Sequence, residues 1–241
     1  MGSCVSVVKP ENKTHDYVGY LEDTFPSVNS VDSLELYSNF AKISIMSWIK
    51  TDMLSTNYID EYDMLTTGTK PFNVFARLAA NVMPNKADQS VIGRHQHSFV
   101  ICHNKPENDE RWNDESFAAA SMAGPDENGP GHVFLTTKNL HWSYFNVLTI
   151  VVFKRYEFLV RLKSAALLYT DSRGWTNPGF FFHAFPHNSV NSLHLHIVNL
   201  DNVGFNYWNN TRKNLSIDDA ITVSRIPSAD SPPYIDNLIE N

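Results

Sequence analysis

The feature that most constrains this 241-residue sequence is a run in which imidazoles and aliphatic side chains alternate one for one: Ser192-Leu193-His194-Leu195-His196-Ile197-Val198. A period of two belongs to an extended strand, whose successive side chains point to opposite faces. Ser192, His194 and His196 then share one face, and Leu193, Leu195 and Ile197 share the other. The aliphatic face has to be covered, so the strand needs a core on one side and presents a polar row on the other. Just before it, Pro186-His187-Asn188-Ser189-Val190-Asn191 gathers amide and hydroxyl donors into one loop. Donors around an imidazole suit a phosphate, because they hold its oxygens while a ring nitrogen faces phosphorus.

Three other uses of such a row stand beside this one. The histidines can line the solvated face of an ordinary structural strand. His-x-His is also a frequent metal-ligand pair. No cysteine or acidic residue sits at ligand spacing beside it, so the pair His95 and His97, or a distant Asp or Glu, would have to complete the set. A pH-sensing cluster is the third, with composition alone in its favour.

Around this strand the chain reads as helix, strands, long helix, strands. Residues 1–30 are polar and broken by Pro10, Gly19 and Pro26, which makes them an arm. From Val31 to Leu54 apolar residues recur at three- and four-residue spacings, predicting a helix capped by Asp32 or Ser33. Phe72–Val82 opens the sheet, and Ser98–Cys102 and His132–Thr136 are short strands; the stretch 109–130 between them reads as a loop. The periodicity of Tyr144–Tyr169 predicts one long amphipathic helix, broken by Asp171–Pro178. Phe180–Phe182 and Leu193–Leu200 form a final strand pair. The fold class is α+β with a mainly antiparallel sheet and an added N-terminal helix. One domain over 31–225 and a C-terminal tail over 226–241 follow from the three prolines near the end.

At the alternating run the sequence resembles the histidine-triad (HIT) superfamily of nucleotide hydrolases and transferases, whose signature is His-φ-His-φ-His-φ-φ with φ apolar. Asn188-Ser189-Val190 looks like the Gln-Ser-Val that leads into the triad in many members. His183-Ala184-Phe185-Pro186 resembles the His-Ala-x-Pro segment of the aprataxin-like branch, and Gly131-His132-Val133-Phe134-Leu135-Thr136-Thr137-Lys138 is similar to the family's Gly-His strand. The resemblance covers roughly residues 72–200 and is strongest from 183 to 198.

It implies a HIT-like fold and a role for each matching residue. His194 is the nucleophile that takes the nucleotidyl group as a phosphoramidate, and His196 helps to hold phosphate oxygens. Ser189 and Asn188 bind phosphate, and His183 stands near the leaving group. Ser192 occupies the place of the first triad histidine and so carries the supporting role. A neutral imidazole near pH 7 is a competent nucleophile. The implied activity is hydrolysis or transfer of a nucleotidyl group from a phosphate ester, anhydride or phosphoramidate. A catalytically weak nucleotide-binding module and a metal-dependent hydrolase are the alternatives. No cofactor and no metal is expected, and a homodimer is in keeping with the family. The aprataxin type adds a zinc finger and DNA contacts; this chain has two cysteines, Cys4 and Cys102, and a net charge of -7, so no nucleic-acid partner is expected.

Weaker candidates surround the site: His132 and Lys138, the stacking aromatics Trp142, Tyr207 and Trp208, and the Arg212-Lys213 pair. Asn12, Asn209 and Asn214 open glycosylation sequons, which matter only in a secreted chain. No apolar run stands behind a basic start, and the most apolar stretch, Phe145–Phe153, is far short of the roughly 20 residues a bilayer needs. Met1-Gly2-Ser3-Cys4-Val5-Ser6 fits the myristoylation pattern. One such chain binds a membrane marginally, and Cys4 is placed to add palmitate as the second signal. The expected location is the cytoplasmic face of a membrane.

Overall fold

The computed structural model describes residues 22–50, 75, 95–102, 114–127, 129–139, 144, 146–185, 187–188, 190 and 192–227, with the side chains of its first helix described as far as Ala41. In chain order the elements are α1 (Val31–Lys50), β1 (Phe99–Cys102), α2 (Glu115–Ala120), β2 (Pro125–Asp126), β3 (Gly129–Pro130), β4 (His132–Thr137), α3 (Val147–Val152), α4 (Tyr156–Ser172), β5 (Pro178–Phe182), β6 (Leu195–Asn199), α5 (Phe205–Asn209), β7 (Leu215–Ser216) and α6 (Ile217–Arg225). Five strands form one sheet in the order β1-β4-β6-β5-β7, and each pairing is antiparallel. The architecture is α+β.

Strand β6 is central, and its alternation sorts the whole molecule. Leu195 and Ile197 point into the main core together with Val133 and Leu135 of β4 and Phe99 and Ile101 of β1. Helices α1, α3, α4 and α6 supply the other wall of that core through residues such as Tyr37, Leu148, Leu162 and Ile221. The opposite face of the sheet carries His132, Phe134, Phe181 and His196; Met122, Ala123 and Val198 make a smaller apolar cluster beside Phe181 and Tyr207. All four core helices therefore lie on one face, and the histidine row faces away from them.

Several expectations are corrected. The arm does not reach residue 30: Phe25 and Val28 are buried in the core, and the Phe25 ring packs 4.7 Å from Tyr37 and 5.3 Å from Phe40. The cap of α1 is Ser30. Its hydroxyl accepts from Ser33 N, while Ser33 Oγ accepts from Ser30 N, a reciprocal box that makes Ser33 the third helical residue and leaves Asp32 in the first turn. The supposed loop before β4 holds α2, capped by Asp114, and the β2–β3 hairpin.

The single long helix is two. Asn146 caps α3 in a box with Thr149, and the chain turns at Lys154, whose φ of 54° is left-handed. Five consecutive residues of α3 are buried, whereas α4 buries one face. No Gly or Pro marks this change, so periodicity alone runs through it. Of Phe72–Val82 only Phe75 is described, and it is helical rather than extended.

Gly131 shows why a glycine precedes β4. A Cβ there would sit 2.1 Å from the Gly124 carbonyl oxygen, the same oxygen that accepts from Gly131 N. The close approach fixes the start of β4 and hence the position of His132.

Candidate functional site

Register brings the site together. Phe134 lies opposite His196 across β4 and β6, and Phe181 lies opposite it across β5. His132 faces Val198, which sets it diagonal to His196 on the same face. His132 Nε2 and His196 Nδ1 are 2.9 Å apart and share one hydrogen. His183, just past the end of β5, lies with its ring centroid 4.3 Å from that of His196, and His194 is 4.7 Å from it at 70°. Three of the expected residues, His183, His194 and His196, thus meet in one cluster, and His132 joins them.

Only His196 of the expected row is in the strand, because β6 begins at Leu195. His194 and Ser192 sit in the turn that leads into it. His194 Nδ1 is 2.6 Å from the Ser192 carbonyl oxygen. A carbonyl only accepts, so Nδ1 carries the proton and Nε2 carries the lone pair. Ser192 does a second job with its hydroxyl, which accepts from Phe75 N at 3.0 Å. The Phe75 ring then meets His194 edge-on at 4.8 Å, and Phe134 meets it at 5.9 Å. The nucleophile candidate is therefore oriented by a main-chain oxygen and two phenyl rings.

The electrostatics follow from this enclosure. Burial, opposed by the bond to the Ser192 carbonyl, pushes His194 down to about 4. Burial and then His194 push His132 down to about 3. His183 is also lowered to about 3, by burial first, with Asn214 opposing and His194, Lys213 and His132 adding to the depression. His196 lies well below the ordinary imidazole range because of burial and the neighbouring His183, His194, His132 and Lys213. All four rings are neutral at pH 7. His196 Nε2 is buried with no hydrogen-bond partner. The shared hydrogen can belong to either ring: in the tautomer where His132 donates to Nδ1, His196 Nε2 carries its ring's proton and is a donor.

Other expected residues stand elsewhere. Asn188 donates to the Val190 carbonyl, closing its own loop at 3.3 Å. Ser189, Trp142, Gly2 and Cys4 lie outside the described residues. Lys138 donates to the Gln96 carbonyl. His95 lies 3.4 Å from Ser164 on α4 and packs on Phe99, and His97 is exposed, so neither joins the cluster. Among the described residues no group of three or more His, Cys, Asp or Glu side chains is arranged to hold a metal ion. Tyr207 contacts Phe181 at 5.9 Å, while Trp208 is largely exposed.

Asn214 is the residue that sequence reasoning missed. It looked like one sequon among three, yet it is buried and bonded to His183, which closes it to glycosylation in the folded chain. Its place becomes visible only once β7 pairs with β5. His187 also has a structural task, donating from Nε2 to the Phe25 carbonyl at 2.6 Å and tying the donor-rich loop to the N-terminal segment.

Compared with protein-family models, curated proteins and solved structures, the chain finds no match.

Proposed function

We propose that this protein is a nucleotide hydrolase or nucleotidyl transferase of the HIT-like type, acting through a covalent nucleotidyl-histidine at His194. The observation that carries the reading is the contact of His194 Nδ1 with the Ser192 carbonyl: with the proton held on Nδ1, the lone pair lies on Nε2, as attack on an electrophile requires. As the Nε2–P bond forms, the ring gains positive charge, and the same carbonyl stabilises it. The P–O or P–N bond to the leaving group breaks, its electron pair departs with that group, and an alcohol or amine so released takes its proton from water. His196 Nε2 supplies a donor for a non-bridging phosphate oxygen. Water then attacks phosphorus, the N–P bond breaks with its pair returning to Nε2, and a water proton is released.

Ser192 in the first triad position fits this scheme, because orientation comes from its carbonyl rather than its side chain. A HIT-like fold is part of the same reading, supported by the antiparallel strands that carry the Gly-His and alternating motifs side by side.

The test is steady-state release of nucleoside monophosphate from adenosine and guanosine phosphoramidates, dinucleoside polyphosphates and adenylylated substrates, with chelator present throughout. Release by the wild type and none by His194→Ala is the expected result. Nucleotide that raises the melting temperature of both proteins without turnover would replace the enzyme with a binding module.

Membrane attachment through Gly2 and Cys4 is the second element of the proposal. Among the described residues no helix is long and apolar enough to cross a membrane; the reading of attachment is carried by the Gly2 and Cys4 motif. Incorporation of a myristate analogue, lost in Gly2→Ala, checks it.

A further inference from the structure

β7 joins β5 with Phe182 opposite Leu215, and the next step of that ladder sets His183 against Asn214. His183 Nε2 donates to Asn214 Oδ1 at 2.9 Å. That bond uses only half of the amide. Asn214 is 8% exposed, and its Nδ2, a two-proton donor, is buried without a hydrogen-bond partner. A buried donor left unbonded is costly, and a second unpartnered nitrogen, His196 Nε2, belongs to the same cluster.

Lys213, adjacent in sequence, is partly buried and close enough to depress both His183 and His196. Among the described residues, no carboxylate is among the groups that act on the four imidazoles. The charges acting on Lys213 itself are Arg212 and, less strongly, Glu22. The cluster therefore presents the unbonded Asn214 amide and the Lys213 ammonium, with Arg212 beside it and Glu22 as the weaker opposing charge, a combination complementary to an anion.

We propose that Lys213 and Asn214 form a second phosphate subsite beside the histidine cluster, holding the group that leaves the attacked phosphorus. The inference rests on the nucleotidyl-histidine reading and narrows it: the substrate class is a nucleoside phosphoanhydride, whose leaving group is itself a phosphate, rather than a phosphoramidate or an alkyl ester. The step balances without an acid. His194 Nε2 supplies the pair that forms N–P, the bond from phosphorus to the bridging oxygen breaks, and its pair stays on the departing phosphate as negative charge. Lys213 and Asn214 neutralise and bond that charge. An amine or alkoxide would need a proton on departure, and neutral imidazoles held below their ordinary range offer no imidazolium to give one near pH 7.

The experiment uses the full chain in single turnovers with two substrates that share adenosine and differ in leaving group, adenosine diphosphate and adenosine phosphoramidate. Covalent labelling of His194 is the readout. Lys213→Ala and Asn214→Ala should lose about tenfold to a hundredfold on the diphosphate, the worth of a hydrogen bond to a charged group, and clearly less on the phosphoramidate. Lys213→Arg should restore the ratio. Binding of inorganic pyrophosphate, measured by calorimetry without nucleotide, should weaken in parallel by at least about tenfold in both alanine variants. Equal losses on the two substrates with unaltered pyrophosphate affinity overturn the subsite and leave nucleotidyl transfer standing. If no substrate labels the wild type, the nucleotidyl-histidine reading fails, and the pyrophosphate affinities decide the subsite alone.

Discussion

Ser192 and His194 show how far two residues can be read before their backbone is seen. The serine looks like a lost histidine, yet its carbonyl holds His194 Nδ1 and its hydroxyl holds Phe75 N. Ser192→Ala removes only the second contact. It should cost about 1 kcal/mol of stability, measured by urea unfolding, and slow turnover less than tenfold; a complete loss of activity would show that the hydroxyl, not the carbonyl, orients the ring. The lowered histidines set the acid behaviour. In the unfolded chain each binds a proton near 6.5, whereas in the fold His194 does so near 4 and His132 and His183 near 3. Their stability is fully present above pH 6.5 and is lost as pH falls through this window, by up to about 1.4 kcal/mol per pH unit for each ring. A urea midpoint that drops between pH 6.5 and 4 is expected, and a flat one contradicts the neutral cluster. The acid limb of kcat/KM should likewise lie well below pH 6.

At the scale of elements, period and packing decide what a sequence shows. Strand β6 was legible because Leu195 and Ile197 must be covered, and Leu195→Ala should cost about 2–5 kcal/mol by the cavity it leaves. Gly131→Ala should also destabilise strongly, since its Cβ would collide with the Gly124 carbonyl; thermal unfolding checks both. The antiparallel α+β class followed from the pattern, and the alternation set His194 beside His196; His183 entered only through the family resemblance. The break at Lys154 did not, because a lysine rather than a glycine takes the left-handed position after α3, where Lys154 N and Arg155 N bond back to the Val151 and Ile150 carbonyls. Helix α6 did leave a signal that went unused: Ser216 as cap, Asp218 and Asp219 in the first turn, and Ile217, Ala220 and Ile221 at helical spacing. Asn214 left none, since a lone polar residue gains meaning only from its partner across β5 and β7.

For the whole molecule, the segment after the histidine strand closes the core. α6 packs on α1, α3 and α4, and the segment around Phe25 to Asn29 reaches both His187 and the Thr211 carbonyl. Core, cluster and C-terminal helix are thus joined, so a chain ending at Ser216 should lose its cooperative melt; a sharp transition retained by the truncated chain would mean that α6 is an appendage. The central claim is that His194 becomes covalently nucleotidylated, and intact-protein mass spectrometry of the full chain, quenched during turnover, tests it most directly. A mass gain of one nucleotidyl group is expected, labile in acid, mapped to His194 and missing in His194→Ala. Turnover without any such adduct, or an adduct that persists in His194→Ala, would contradict it.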